Sequence, residues 1–230
     1  MNISESSNNR RRMIAGVSLL GLAVTFLSNT LWGLMTRPTS PSQTTIMLVG
    51  FVAVLNAVLM TAAVLGLSQL LRARADWAGL AGAACTLVGW AASTRISVVL
   101  QLDMLFRAGV EGVPESTLGS AFQSAPAVFL SIFPVGLFFP LGLIMLGAAL
   151  FWWRPINRWL GLWLALGGVL FPLGRALGMQ PAIIACDLVL ATAFAAIGWQ
   201  VLTRAEVWEA TSGFDETVNE MLPGELRASA

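Results

Sequence analysis

The amino-acid sequence predicts an all-α fold, a polytopic bundle of six transmembrane helices with both termini in the cytoplasm. Of its 230 residues, 57% are apolar and only 11% are charged, and the mean hydropathy is +0.77. A soluble domain carries about 25% charged residues. Six apolar runs reach the roughly 20 residues that a helix needs to cross the hydrocarbon core. These runs lack the two-residue alternation of a transmembrane barrel, so helices are the expected spanning elements.

The chain divides into three parts at the ends of these runs. Residues 1–12 are predicted to form a disordered basic cytoplasmic N-terminus, residues 13–203 the six-helix domain, and residues 204–230 an acidic cytoplasmic tail. The first run exceeds the about 7 to 15 apolar residues of a signal peptide and lacks a clear cleavage site, so it is interpreted as a spanning helix. The predicted helices are Met13 to Met35, Ile46 to Leu71, Trp77 to Leu102, Ala125 to Trp153, Trp159 to Gly178, and Pro181 to Thr203.

Arginine placement predicts the orientation, because short basic loops resist translocation. Arg37 and Arg107 fall in the predicted loops on one side of the membrane, which is therefore the outer side. Trp32 marks the outer interface, and a belt of tryptophans marks the inner one. The arginines on the predicted cytoplasmic side are Arg10, Arg11, Arg12, Arg72, Arg74, Arg154, Arg158 and Arg204.

Prolines and one long connection shape the predicted bundle. Pro134 and Pro140 in the fourth helix and Pro172 in the fifth each remove a backbone donor, so both helices are expected to be kinked. The longest external connection, Phe106 to Ser124, places Pro114 and Glu115 where a short helix would begin. That helix is interpreted either as a plain connector or as a lid over the outer mouth of the bundle.

The residue types that are missing exclude several kinds of chemistry. The sequence has no His, no Tyr and no Lys, so imidazole bases, His-ligated metals, Schiff-base lysines and tyrosyl chemistry are excluded. Cys85 and Cys186 lie within apolar runs, the usual setting of a buried and unreactive thiol. The net charge of +1 gives no clustered basic domain for nucleic acid. We therefore expect a protein that is not an enzyme, with no cofactor, no metal and no nucleic-acid partner.

Polar residues concentrate in the outer half of the predicted membrane domain. By helical rise from Trp77 and Trp159, Arg95 and Arg175 lie about 27 Å and about 24 Å from the inner interface, in a core about 30 Å thick. The candidate ligand-binding residues are Arg95, Asp187, Arg175, Asp103, Asn29, Asn56 and Gln101.

Charges at membrane depth are costly and usually pair inside the bundle. Arg95 with Asp187 and Arg175 with Asp103 are the favoured combinations, and the reverse pairing stays open. Such pairs have a purely structural interpretation, the registration of one helix against another. The functional interpretation is a polar pocket, open to the outside, that binds a small amphipathic or anionic ligand.

Other functions remain open at this point. The chain could dock a membrane or cytoplasmic protein partner, the acidic tail being one docking segment. A small-solute transporter is the main alternative, favoured by the expected kinks. An intramembrane enzyme acting on a lipid or isoprenoid would use Asp103 or Asp187 as its acid.

Several short motifs carry a resemblance to a known family. They are the basic amino terminus, the Arg95-Ile96 pair late in the third helix, the segment "TLGSAF" before the fourth, and "PINRWLGLW" at the start of the fifth. With the six-helix pattern they resemble the bacterial integral membrane family known as domain of unknown function 4386, over roughly residues 12 to 203. Members often carry an acid three residues after that Arg, where this chain has Val98. The resemblance implies a multi-pass protein of a bacterial cytoplasmic membrane. The family has no settled activity, so the resemblance bears on fold and location only.

Overall fold

Five α-helices make up the described part of the chain, without strands. The structure is a computed structural model and describes residues 3–35, 43–109, 135–177, 179–206 and 208. The predicted all-α class is therefore confirmed for these residues. The helices are α1 (Ile3–Met35), α2 (Gln43–Gly109), α3 (Phe138–Trp153), α4 (Arg158–Ala176) and α5 (Gln180–Thr203).

Helix α2 is broken at Ala75 and folds back on itself. Ala75 has φ −157° and ψ 54°, outside the helical region, within the charged segment where the sequence predicts a loop. After the break, a Cβ on Gly79 would lie 3.0 Å from the Cβ of Leu71, so the two arms meet closely. The arm before Ala75 and the arm after it thus cover the second and third predicted helices. The second arm continues to Gly109, past the predicted end at Leu102.

The helices pack in a closed ring. Helix α1 contacts α2 and α5, α2 contacts α3, α3 contacts α4, and α4 contacts α5. Gly66 on the first arm of α2 approaches Ala15 of α1, and Gly82 on the second arm approaches Leu146 of α3. The first arm therefore packs against α1 and the second arm against α3. Buried apolar side chains form the core between the helices.

Among the described residues, three helices are long and apolar enough to cross a membrane. They contain the stretches Ser6–Ser28, Gly50–Ala92 and Gln180–Thr203, and α3 is a shorter apolar helix. Apolar side chains also cover the outside of the bundle; Phe51, for example, is 67% exposed. A surface of this kind fits a hydrocarbon environment, which supports the predicted membrane class.

The N-terminal segment differs from its prediction. Helix α1 begins at Ile3 rather than Met13, so the segment predicted to be disordered is helical from Ile3 onward. The buried indole of Trp208, from beyond the end of α5, donates its Nε1 proton to Asn8 Oδ1 at 2.7 Å. This contact between distant parts of the chain stabilises a polar helical extension that composition alone did not indicate.

Pro140 lies in the first turn of α3, and a turn at Leu137 separates this helix from the helical residues 135 and 136, so the helical path is interrupted three residues before the proline. A first-turn amide has no intrahelical partner, so proline is compatible with that position. Pro172 does lie inside α4, which continues through it. Pro134 and the connection containing Pro114 and Glu115 lie outside the described residues.

Candidate functional site

Two charged side chains meet where the C-terminal part of α4 lies against the N-terminal part of α5. Arg175 Nη2 lies 3.6 Å from Asp187 Oδ1. The side chain of Arg175 is 42% exposed, whereas that of Asp187 is only 10% exposed. The sequence favoured Arg95 as the partner of Asp187 and left Arg175 open as the alternative. In the structure Asp187 pairs with Arg175. We call Arg175, Asp187 and Phe171 the outer charged site, because the sequence predicts that Arg175 and Asp187 lie toward the outer face of the membrane.

The guanidinium of Arg175 is oriented by its own helix as well as by Asp187. Its Cζ lies 3.5 Å from the centroid of the Phe171 ring, one turn earlier on α4. Arg175 Nη1 also donates to the backbone carbonyl of Phe171 at 3.4 Å. A cation over an aromatic face is stabilised by the ring quadrupole. Three contacts therefore fix the guanidinium, and a large part of its side chain remains exposed.

Small residues bring α4 and α5 together at this point. A Cβ on Gly174 would lie 3.0 Å from the carbonyl oxygen of Ala182, a spacing that any larger side chain would disturb. The absence of a side chain at Gly174 thus lets α5 present Asp187 to Arg175.

Asp187 is enclosed by the bundle. Its neighbour Cys186 is a free, buried cysteine whose Sγ lies 3.9 Å from the carbonyl of Gly167. The Thr30 hydroxyl of α1 lies beside the carboxylate of Asp187. Asp187 Oδ1 is buried and makes no hydrogen bond with the described residues, so the ion pair with Arg175 is its main compensation.

Asn56, another candidate, forms a separate polar contact between α1 and α2. Its Oδ1 accepts a hydrogen bond from the Thr25 hydroxyl at 3.0 Å, and both side chains are buried. An amide used in this way joins two helices and is not open to a ligand. Thr25 and Thr30 were not among the predicted site residues, because a threonine on an apolar helix gives no signal until its neighbours are known.

The four remaining candidates belong to α1 and α2. Asn29 belongs to α1, and Arg95, Gln101 and Asp103 belong to the second arm of α2. Their side chains lie outside the described part of the structure, so the predicted pairing of Arg175 with Asp103 stays a prediction. Within the described residues, no group of three or more Cys, Asp or Glu could hold a metal ion.

Comparison of the chain with protein-family models, with curated proteins and with solved structures finds no match. The resemblance to a bacterial membrane family therefore stays a prediction from the motifs that carry it. The outer charged site consists of one exposed cation, fixed by an aromatic ring and a carbonyl and paired with one buried carboxylate.

Proposed function

We propose that this chain is a multi-pass protein of a bacterial cytoplasmic membrane, not an enzyme, that binds a small anionic or amphipathic ligand at the outer charged site. In this proposal six segments span the membrane: α1, the two arms of α2, a fourth helix that includes α3, then α4 and α5. Both termini lie in the cytoplasm. The proposal extends the membrane class that the three long apolar helices support.

The distribution of arginines supports the topology. Three contacts join the start of α1, the break in α2, the α3–α4 connection and the end of α5 at one end of the bundle. Asn8 of α1 contacts Trp208 beyond α5. Arg74 of α2 donates to the carbonyl of Trp153, and the amide of Asn157 in the connection donates to Gln200 of α5. We call this end of the bundle the basic end. Its exposed arginines are Arg10, Arg11, Arg72, Arg74, Arg154, Arg158 and Arg204. A basic end of this kind marks the cytoplasmic side.

The exposure of the Arg175 guanidinium is the observation that supports the ligand proposal. A guanidinium has five N–H donors, and the contacts with Phe171 and Asp187 use only some of them. A purely structural ion pair would enclose both partners, but only Asp187 is enclosed here. The exposed donors of Arg175 suit a carboxylate or phosphate, which a guanidinium binds in a bidentate manner.

The surroundings of Arg175 indicate that the ligand is amphipathic. Leu173, Leu177 and Met179 lie within a few residues of Arg175 and are all exposed. An anionic head group on Arg175 would place an attached hydrocarbon chain against these side chains. In the proposed orientation this position is near the outer interface, where an amphipathic molecule partitions.

A binding experiment with a matched control tests the proposal. The purified chain in a neutral detergent is titrated with an alkyl phosphate and with the corresponding alcohol, and binding is followed by calorimetry. We expect the parent to bind the phosphate more tightly than the alcohol. R175Q should bind the phosphate about tenfold more weakly, because it loses one charged hydrogen-bonding partner. R204Q, which removes an exposed charge at the basic end, is expected to bind like the parent. Equal binding by the parent and R175Q would exclude this site.

A further inference from the structure

The connection between α3 and α4, Arg154 to Asn157, has an unusual backbone. Helix α3 ends at Trp153, and Arg154 follows with φ 51° and ψ 45°, in the left-handed region. Its amide donates to the carbonyl of Leu150 at 3.1 Å and closes the helix. Glycine is the usual residue here because it has no Cβ. The chain instead places a long cationic side chain at a position that disfavours any side chain.

Contacts from two other helices fix this connection. Arg74 Nη1 donates to the carbonyls of Trp153 at 2.9 Å and of Arg154 at 3.3 Å. The backbone amide of Asn157 donates to Gln200 Oε1 at 3.2 Å, which joins the connection to α5. Because α2 and α5 both hold it, the connection presents its side chains from a fixed backbone.

Two arginines lie at this connection, Arg154 within it and Arg158 directly after it, with tryptophans beside them. Arg154 and Arg158 are both exposed, and Arg158 Cζ lies 5.0 Å from the centroid of the Trp159 ring. Trp152 is 76% exposed and Trp159 is 58% exposed. Exposed indoles belong at the level of lipid head groups. Within the described part of the chain, no carboxylate lies within ion-pairing distance of either guanidinium.

An apolar strip on α4 leads away from the two arginines. Leu162, Leu166 and Val169 follow Arg158 at helical spacing and are all exposed. These positions lie on one side of the helix because they are three or four residues apart. The surface thus combines cations at the interface with a hydrocarbon-facing strip of the same helix.

We propose that Arg154 and Arg158 bind the phosphodiester of an anionic phospholipid in the leaflet at the basic end, with one acyl chain along Leu162, Leu166 and Val169. A phosphodiester carries one negative charge on oxygens that guanidinium groups bind in a bidentate manner. The flanking indoles fix the depth of the head group. The proposal rests on the membrane placement given under Proposed function, but not on ligand binding at the outer charged site.

Lipid binding by the full chain tests this proposal. The protein in a neutral detergent is titrated with phosphatidylglycerol or phosphatidylcholine, and bound lipids are counted by native mass spectrometry. The parent is expected to prefer phosphatidylglycerol. Each of R154Q and R158Q should weaken its binding about fivefold, and the double variant about 25-fold, because one cation near an anionic lipid is worth about fivefold.

Matched controls decide whether the site is local. R10Q/R11Q removes the same charge from another part of the basic end and should bind phosphatidylglycerol as the parent does. In the R175Q background, which removes the cation of the outer charged site, R154Q/R158Q should cause the same loss of affinity, which separates the two sites. The proposal is overturned if R10Q/R11Q loses as much affinity as R154Q/R158Q, if the parent shows no preference between the lipids, or if inorganic phosphate at the same ionic strength displaces the lipid. If R154Q/R158Q does not fold, the single variants give the same decision.

Discussion

The ion pair between Arg175 and Asp187 gives an asymmetric prediction, because its two partners differ in exposure. Replacing Arg175 by Gln leaves a buried carboxylate without a cation. Replacing Asp187 by Asn leaves an arginine whose side chain is 42% exposed and already in contact with the Phe171 ring. We therefore expect R175Q to lower the free energy of unfolding more than D187N does.

The magnitude follows from the separation and the exposure. At 3.6 Å the attraction is about 1 kcal/mol in water and about 5 kcal/mol at an effective dielectric constant of 20. Breaking a fully buried pair costs about 3–5 kcal/mol, and solvent at the exposed arginine reduces this. We expect a loss of about 2 kcal/mol for R175Q and about 1 kcal/mol for D187N. In the double variant the second change should cost little, since the pair is already broken.

Equilibrium unfolding in mixed micelles with increasing dodecyl sulfate, followed by circular dichroism, measures these free energies. A second cycle with R95Q and D187N tests the pairing that the sequence favoured. A larger loss for D187N than for R175Q, or additivity of the two losses within about 0.5 kcal/mol, would contradict an ion pair with one exposed partner. Strong coupling in the Arg95 cycle and none in the Arg175 cycle would restore the pairing favoured from the sequence.

Three further predictions follow from buried contacts. T25V removes the hydroxyl that donates to Asn56 of α2 and should lower the free energy of unfolding by about 1 kcal/mol. T61V is the control, because the Thr61 hydroxyl donates only within its own helix, and it should have almost no effect. Equal losses in the two variants would count against the contact between α1 and α2. G147L forces a side chain against the backbone of α4, and it should lower the free energy of unfolding by about 3 kcal/mol or prevent folding, which is measured as the yield of monodisperse protein. A148L, on the exposed face of α3, should be tolerated. Similar yields for the two variants would contradict the close approach of α3 and α4. W208A should speed cleavage at the basic end in limited proteolysis, and an unchanged rate would show that the contact with α1 does not protect it.

The helices that the sequence predicted best are those with simple ends. The sixth predicted helix, Pro181 to Thr203, matches α5 within one residue, and the fifth matches α4 within two at either end. Both are bounded by a proline, a charge or a polar residue next to a long apolar run, and such boundaries are local. The extension of α1 to Ile3 was missed because Trp208, which packs on it, lies almost at the other end of the chain.

The candidate site shows the same limit. Counting residues along the chain predicted both Arg175 and Asp187 in the outer half of the membrane domain, because helical rise depends only on position along the chain. It could not decide which arginine faces Asp187, since that choice depends on how α4 rotates against α5. The hydroxyls of Thr25 and Thr30 gave no signal for the same reason.

By itself the sequence determined that the protein is helical and that its helices suit a membrane, because hydropathy and spacing are properties of the chain alone. The tertiary structure decided that Asp187 meets Arg175, that Asn56 is used by Thr25, and that Arg154 closes α3 in a left-handed conformation. These features depend on which faces of the helices come together. Glycines help to determine which faces meet, because the backbones of two helices can approach closely where a side chain is absent. Gly174 of α4 beside Ala182 of α5 is an example.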